Sequence, residues 1–267
     1  MQKTIFITGS SSGLGKATAH LFQKQGWKVI ATMRNPDSSN DLADLENVTL
    51  LPLDVTDLNS IQAAASAAIG LGNIDVVFNN AGYGLMGALE ALTDEQMLRE
   101  INTNLLGVIR VTQASIPHFR ARQQGLFIST TSMGGFLGFP LHSIYHATKF
   151  GVEGWSESMS FELALHNIQI KTISPGGIKT DFLGRSLERS SHPAYKELED
   201  KLFSNIDSMM EAALTPEEIA EIVYEAATDS KDQVRYIAGS DANALYARRL
   251  EIGSEALRRE ITQQFLG

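Results

Sequence analysis

The sequence predicts an α/β fold: a doubly wound, mostly parallel sheet with helices on both faces. Three observations predict it. Short, continuous apolar runs alternate with helix-length segments along the 267 residues, with no proline-rich linker or low-complexity break. Strands of that kind, separated by helices, are buried on both faces, the pattern of a parallel sheet with crossover helices. A glycine-rich turn, Thr8-Gly9-Ser10-Ser11-Ser12-Gly13-Leu14-Gly15, follows the first run and opens the first helical segment. The length and a 43% hydrophobic content suit one domain over 1–267 better than two small ones.

The elements follow in order. Residues 3–8 ("KTIFIT") read as the first buried strand, followed by a helix over 13–25. Residues 28–33, 48–53, 74–79, 126–131, 168–174 and 234–238 read as further strands, with helical stretches near 60–69, 94–118, 144–166 and 216–229. Right-handed crossovers wind such a series around its sheet, and ligands then sit beyond the carboxyl ends of the strands. The motifs discussed below all fall at those ends. The segment 181–214 departs from the alternation, mixing Phe182, Leu183, Phe203, Met209 and Met210 with charges. It reads as a small insertion over a substrate or as a surface helical excursion.

Charge and composition exclude several functions. Lys and Arg minus Asp and Glu is 22 − 31 = −9, without a long basic run, which argues against nucleic acid and anionic membrane as partners. With no cysteine, disulfides, thiolate metal sites and a cysteine nucleophile are excluded, and a reducing cytoplasm fits. The six histidines form no metal-binding cluster, so no metal is implied. The N-terminus lacks the apolar core and cleavage site of a signal peptide, and no apolar run approaches the roughly 20 residues that span a bilayer. A soluble, cytoplasmic protein is the expectation.

In the turn at 8–15, glycines let the backbone turn sharply and approach a pyrophosphate. The helix N-terminus behind them presents N–H groups and a positive dipole end to that anion. Strand before and helix after is the context a dinucleotide site requires. Asp54, at the end of the third strand and followed by Val55, is placed to accept a bond from an adenine amino group or to cap the next helix. Asn79-Asn80-Ala81-Gly82 ends the fourth strand; Ala81 and Gly82 let the backbone pass close to a ligand, and Asn79 reads as structural. Tyr145 and Lys149 lie four residues apart in a helical run and share one face. Alone, that pair equally describes a solvated helix face.

Together these pieces resemble the short-chain dehydrogenase/reductase family. The resemblance rests on TGSSSGLG (8–15), NNAG (79–82), Asn104 in NTNLLG, Ser132, Tyr145-x-x-x-Lys149, and Pro175-Gly176 followed by Thr180. They stand in the family's order from residue 3 to about 181, and the Ser132 to Tyr145 interval also matches. The resemblance implies a Rossmann-type fold and an NADP(H)-dependent oxidoreductase that interconverts a ketone or aldehyde with its alcohol. It implies Tyr145 as acid/base, Ser132 bonding the substrate oxygen, Lys149 gripping the nicotinamide ribose, and Asn104 holding a water that links Lys149 to solvent. The cofactor would lie against Gly9, Ser11, Ser12, Gly13, Leu14 and Gly15, with Asp54, Val55, Asn80, Ala81 and Gly82 beside its adenosine half. Tyr145, Lys149, Pro175, Gly176, Ile178 and Thr180 would line the nicotinamide half. Homodimers or homotetramers through the helices near 94–118 and 144–166 are implied as well.

The chemistry gives the tyrosine–lysine pair a reason. A free phenol near pKa 10 is a poor base at neutral pH. An ammonium roughly 5 Å away, at an effective dielectric of about 20, favours phenolate by about 3 kcal/mol, on the order of two pKa units. Tyr145 is therefore expected to work near neutrality. His142 and His146, flanking it, read as surface or packing residues. Cofactor choice rests on Met33 and Arg34: members using NAD usually carry an acid near Met33, whereas Arg34 suits a 2′-phosphate. Ser10 and Ser11 are expected to add hydroxyl contacts, although Ser12 is not the basic residue many NADP-using members carry. Ser132, Phe136, Leu137, Tyr145 and Phe182 are expected to meet the substrate, with Phe139, Leu141, Leu183, Met209 and Met210 making the pocket apolar. Arg185 is the one anchor there for a small acid. Rival readings are a dehydratase or epimerase on a related fold, and an NADP-sensing regulator without turnover.

Overall fold

The computed structural model describes residues 2–36, 40–179, 187–204 and 213–267. The chain runs β1 (Thr4–Thr8), α1 (Gly13–Lys24), β2 (Lys28–Met33), α2 (Asn40–Ala43), β3 (Val48–Pro52), α3 (Leu58–Gly70), β4 (Val76–Asn79) and β5 (Gly84–Met86). It continues through α4 (Asp94–Ile101), α5 (Gly107–Arg122), β6 (Gly125–Thr130), α6 (Ser143–Ala164), β7 (Ile168–Pro175), β8 (Leu187–Arg189) and α7 (Lys196–Ser204). It ends with α8 (Pro216–Thr228), β9 (Arg235–Ala238), α9 (Ser240–Ile252) and α10 (Ser254–Leu266). Seven strands form one parallel sheet in the order β3-β2-β1-β4-β6-β7-β9. The expected doubly wound α/β architecture is what the chain adopts.

Alternate residues of each strand serve opposite faces, which is why the strand sequences are apolar throughout. Ile5 and Ile7 pack with Val29 and Ala31 against Phe22 of α1 and Ile219 and Val223 of α8. Phe6, between them, joins Ile30, Val77 and Phe127 under Ile61 of α3, Val111 and Phe119 of α5, and Leu163 of α6. Each such side chain contributes about 1.5–3 kcal/mol by leaving water. A third cluster holds Met86, Phe136 and Leu137 together with Leu202 of α7 and Leu257, Ile261 and Phe265 of α10.

Helix starts follow local chemistry. Thr93 and Gln96 form a reciprocal capping box at α4, and Thr215 and Glu218 form another at α8. Lys171, buried in β7, donates to Ala226 O (2.9 Å), Asp229 Oδ1 (2.8 Å) and the Tyr236 hydroxyl (3.1 Å), tying β7 to the end of α8 and to β9.

The structure corrects the sequence reading in several places. The single helix expected near 94–118 is two, because a π turn over Asn102–Leu106 interrupts it. Its backbone bond runs from the Gly107 N–H to the Asn102 carbonyl, one residue longer than an α-turn, and side-chain periodicity does not reveal an added residue. β3 stops at Pro52, so Asp54 lies in the loop beyond it. β5 and β8 pair in parallel as a separate small sheet. β8 and α7 both lie inside the segment expected as an insertion, and α9 and α10 extend the chain past the last expected element. Strands of three residues, as in β5 and β8, are too short for a periodic signal.

Candidate active site

The chain leaves β1 toward α1 on one face and leaves β4 toward α4 on the other, opening a crevice at the carboxyl edge between neighbouring strands. The glycine-rich turn enters it. Gly9 and Gly13 hold φ of 70° and 53°, and a Cβ on Gly9 would sit 2.8 Å from Ala81 Cα. A Cβ on Gly15 would overlap the Gly9 carbonyl oxygen. Ser12, the N-cap of α1, makes no side-chain capping bond, and the first turn holds no acidic residue. Backbone N–H groups there are left for an outside acceptor, which fits a pyrophosphate. Ser11 and Ser12 are exposed beside them. Ser10 is not: it is buried, its hydroxyl donating to Ile7 O (3.2 Å), so the hydroxyl contact expected of it is withdrawn. Leu14 is buried in the first core, which leaves only its backbone to the turn.

At the end of β2, Met33 is buried and Arg34 is exposed. The Asp54 carboxylate accepts from the Thr56 N–H (2.9 Å) and hydroxyl (2.7 Å). Burial alone would raise its pKa, but those bonds and the Arg34 charge outweigh it and hold it below the usual range. The next helix is capped by Asp57 rather than Asp54. Val55 is packed in the second core. Asn79 is buried and donates to the Thr112 hydroxyl (3.0 Å). Asn80 donates to Thr8 O and Gly9 O (both 3.2 Å) and accepts from the Thr130 hydroxyl (3.2 Å). Its side chain thus clamps β1, β4 and β6 together. Ala81 donates its N–H to the Thr8 hydroxyl (3.0 Å), and Gly82 lies against Asn104.

The proton-handling groups converge on the other side of the crevice. Ser132 follows β6, accepts from the Gly134 N–H (3.0 Å), and lies close enough to the Tyr145 phenol to pull its pKa down. The fold thus brings together two residues thirteen apart in the sequence. Lys149, one turn beyond Tyr145 on α6, is buried; its Nζ donates to Thr130 O (3.0 Å) and lies 5.6 Å from the Tyr145 ring centre. Burial depresses the lysine pKa to about 8, against the opposing charges of Glu100 and Glu153. Tyr145 moves opposite to expectation. Burial pushes it up to about 12, Ser132 pulls it down, and Glu100 pushes it further up. Desolvation of the phenolate is the dominant cause.

The side chain of Asn104 is buried; it accepts from the Tyr83 N–H (3.0 Å) and donates to Tyr83 O (2.7 Å), which commits it to holding the chain before β5. His146 is a packing residue: Nδ1 donates to Gly134 O (3.1 Å) and Nε2 accepts from the Phe139 N–H (2.9 Å). Burial and the neighbouring His142 depress its pKa to about 4. His142 bonds Pro140 O through Nδ1 (2.7 Å).

Phe136 and Leu137 are packed into the third core, Phe136 edge-on to Tyr246 with ring centres 5.0 Å apart. Phe139, Leu141 and Phe203 pack around the same cluster. Pro175 closes β7, the Gly176 N–H donates to Ala238 O (2.9 Å), and the Gly177 N–H donates to Asp241 Oδ2 (2.8 Å). Ile178 bridges to Leu214. Thr180, Phe182, Leu183, Arg185, Met209 and Met210 lie outside the described residues.

Sequence reasoning passed over three acids. Glu153 is buried, accepting from Thr131 (2.5 Å), Ser174 (2.7 Å) and Arg235 (2.8 Å). Its place four residues after Lys149 was a usable signal. Glu100 likewise stands four residues before Asn104, whereas Asp241 had no signal, since its partner Gly177 lies far away in the sequence. Among the described residues, no group of three His, Cys, Asp or Glu side chains is placed to hold a metal ion.

Known proteins bear on this site. Residues 3–190 match the family model described as short chain dehydrogenase. The chain is 33% identical to estradiol 17-beta-dehydrogenase 1 of Rattus norvegicus, over 96% of this chain and 80% of that protein. A short-chain dehydrogenase from Streptomyces avermitilis superposes with a TM-score of 0.87 at 30% identity, covering 98% of this chain and 95% of the other. An alcohol dehydrogenase from the archaeon Thermococcus sibiricus, complexed with 5-hydroxy-NADP, superposes at 0.75 and 26% identity, covering 90% and 97%.

Proposed function

The chain belongs to the short-chain dehydrogenase family and is an oxidoreductase of that type, and from this premise we propose that it transfers hydride between NADP(H) and a carbonyl/alcohol pair, with a hydrophobic ketone or aldehyde as substrate. The observation that carries the reading is the convergence of Ser132, the Tyr145 phenol and the Lys149 ammonium at the sheet's carboxyl edge. The nicotinamide, when bound, supplies or accepts the hydride. Ser132 orients the substrate oxygen toward the phenol. Tyr145, raised to about 12, keeps its proton at neutral pH and is suited to donate it to a carbonyl oxygen as hydride arrives at carbon. Lys149 makes its bond to Thr130 O and has further N–H donors to offer a ribose.

The turn at 9–15 would hold the pyrophosphate, Arg34 the 2′-phosphate and Asp54 the adenine. The NADP analogue bound by the Thermococcus sibiricus enzyme supports this cofactor choice. The rat relative, named for estradiol, supports a bulky apolar substrate. The reading includes 181–214 as a cover over the substrate and self-association through α6, whose Phe161 and the Leu165 just past its end are 73% and 79% exposed. A cytoplasmic setting, which the lack of cysteine fits, belongs to it too. The test is NADPH oxidation with a panel of carbonyl compounds. Turnover of bulky apolar ketones or aldehydes is expected; turnover of small charged substrates alone would overturn the substrate class, and no turnover at all would favour a sensor.

A further inference from the structure

Glu100 sits in the last turn of α4 and is completely buried. Its Oε1 accepts from the Leu85 N–H (2.9 Å) and from Asn104 Nδ2 (3.4 Å). Its Oε2 has neither a hydrogen-bond partner nor contact with solvent. The π turn places Asn104 beside it, so the two side chains hold successive parts of one chain segment, Tyr83 and Leu85. An ionised carboxylate with one oxygen unpartnered in a dry site is costly, and a protonated carboxyl is far less so.

The charged and titratable groups around Glu100 single out one partner. Arg99, next in sequence, is directed to the Tyr83 hydroxyl (3.2 Å) and paired with Glu188. Arg235 is paired with Glu153, which lies one turn beyond Lys149. Tyr83, Tyr145 and Lys149 each feel the charge of Glu100. Arg99 and Arg235 are thus paired with carboxylates, whereas Lys149, the cation that acts on Glu100, is bonded to a neutral carbonyl oxygen.

We propose that Glu100 is a positioning residue for the reaction, a buried carboxyl whose own proton decides how firmly Lys149 is held as an ammonium. The idea rests on the reading that Lys149 and Tyr145 serve turnover. Burial pushes Glu100 up to about 8, against the Leu85 N–H and Lys149, while burial brings Lys149 down to the same region. At neutral pH the pair is carboxyl and ammonium. As pH rises the two groups titrate as a coupled pair, and an ionised Glu100 favours keeping the proton on Lys149. Tyr145 is kept protonated by the same charge. Without Glu100, the lysine loses its proton at lower pH.

The test is Glu100→Gln, which keeps an oxygen for the Leu85 N–H and removes the titrating group. NMR of carbon-labelled lysine and glutamate side chains reads both groups in the whole protein without turnover. In the wild type, a glutamate carboxyl absent from Glu100→Gln should titrate on the alkaline side of neutrality. The Lys149 midpoint should fall in the variant by on the order of one pH unit. The alkaline limb of NADPH-linked carbonyl reduction should move down with it, while the rate at neutral pH stays within about threefold, a shift of under about 0.7 kcal/mol. An unmoved Lys149 midpoint, a Glu100 that is ionised throughout, or a rate lowered equally at every pH would each overturn the proposal. The wild-type carboxyl titration decides the first premise even if the variant does not fold. A wild type without turnover would sink the proposed activity, and the two NMR midpoints would still show whether Glu100 controls Lys149.

Discussion

Replacing Tyr145 by Phe removes one oxygen and leaves the ring where it is, edge-on to His142 and tilted against His146 at 6.3 and 5.9 Å between ring centres. Ser132, beside the phenol, keeps its bond from the Gly134 N–H (3.0 Å). The fold therefore loses at most one hydrogen bond, about 0.5–1.5 kcal/mol, or a few degrees in melting temperature. The reaction loses its proton donor. A positioned general acid contributes about 10²–10⁴-fold, so kcat should fall by that factor, corresponding to about 2.7–5.5 kcal/mol of activation free energy. NADPH affinity should stay within a few-fold, because the turn at 9–15 is built from other residues. Stopped-flow turnover together with a fluorescence titration of NADPH measures both. A near-normal kcat would refute the assignment, and so would a loss confined to KM. Lys149→Ala, by contrast, should lower both turnover and cofactor affinity.

Arg34→Ala should lose roughly 1.5–3 kcal/mol of NADPH affinity, the scale of a charge-assisted bond, with little change for NADH; equal losses for both in calorimetric titration would sink the 2′-phosphate reading. His146 gives a stability prediction. Its folded pKa of about 4 lies below the unfolded value near 6.5, so the unfolded chain binds more protons between those values and acidification through that window destabilises the fold. The contribution is about 3 kcal/mol, present above the unfolded pKa and lost as pH falls toward 4. Urea unfolding at several pH values should show a flatter acid dependence for His146→Gln than for the wild type, and parallel curves would count against the neutral, doubly bonded imidazole.

The sequence by itself determined the seven strands of the main sheet, the order of the motifs and the helical face shared by Tyr145 and Lys149. These depend on neighbours two to four residues away, and side-chain periodicity records them: β2 runs from Lys28 to Met33 as the apolar run predicts. The glycine-rich turn was legible for the same reason, since strand, turn and helix follow one another. Tertiary structure decided what the site residues do with their atoms. Whether Tyr145 holds its proton depends on its burial and on the charge of Glu100, and neither has a signature in a four-residue spacing. Which groups the amides of Asn80 and Asn104 bond was decided by the fold, which brings Thr8 and Tyr83 to them. Glu100 looked like one more charge on an amphipathic helix. Its burial, its bond to Leu85 and its unpartnered oxygen arise only when α4, the π turn and α6 close on one another, through contacts between residues distant in the chain.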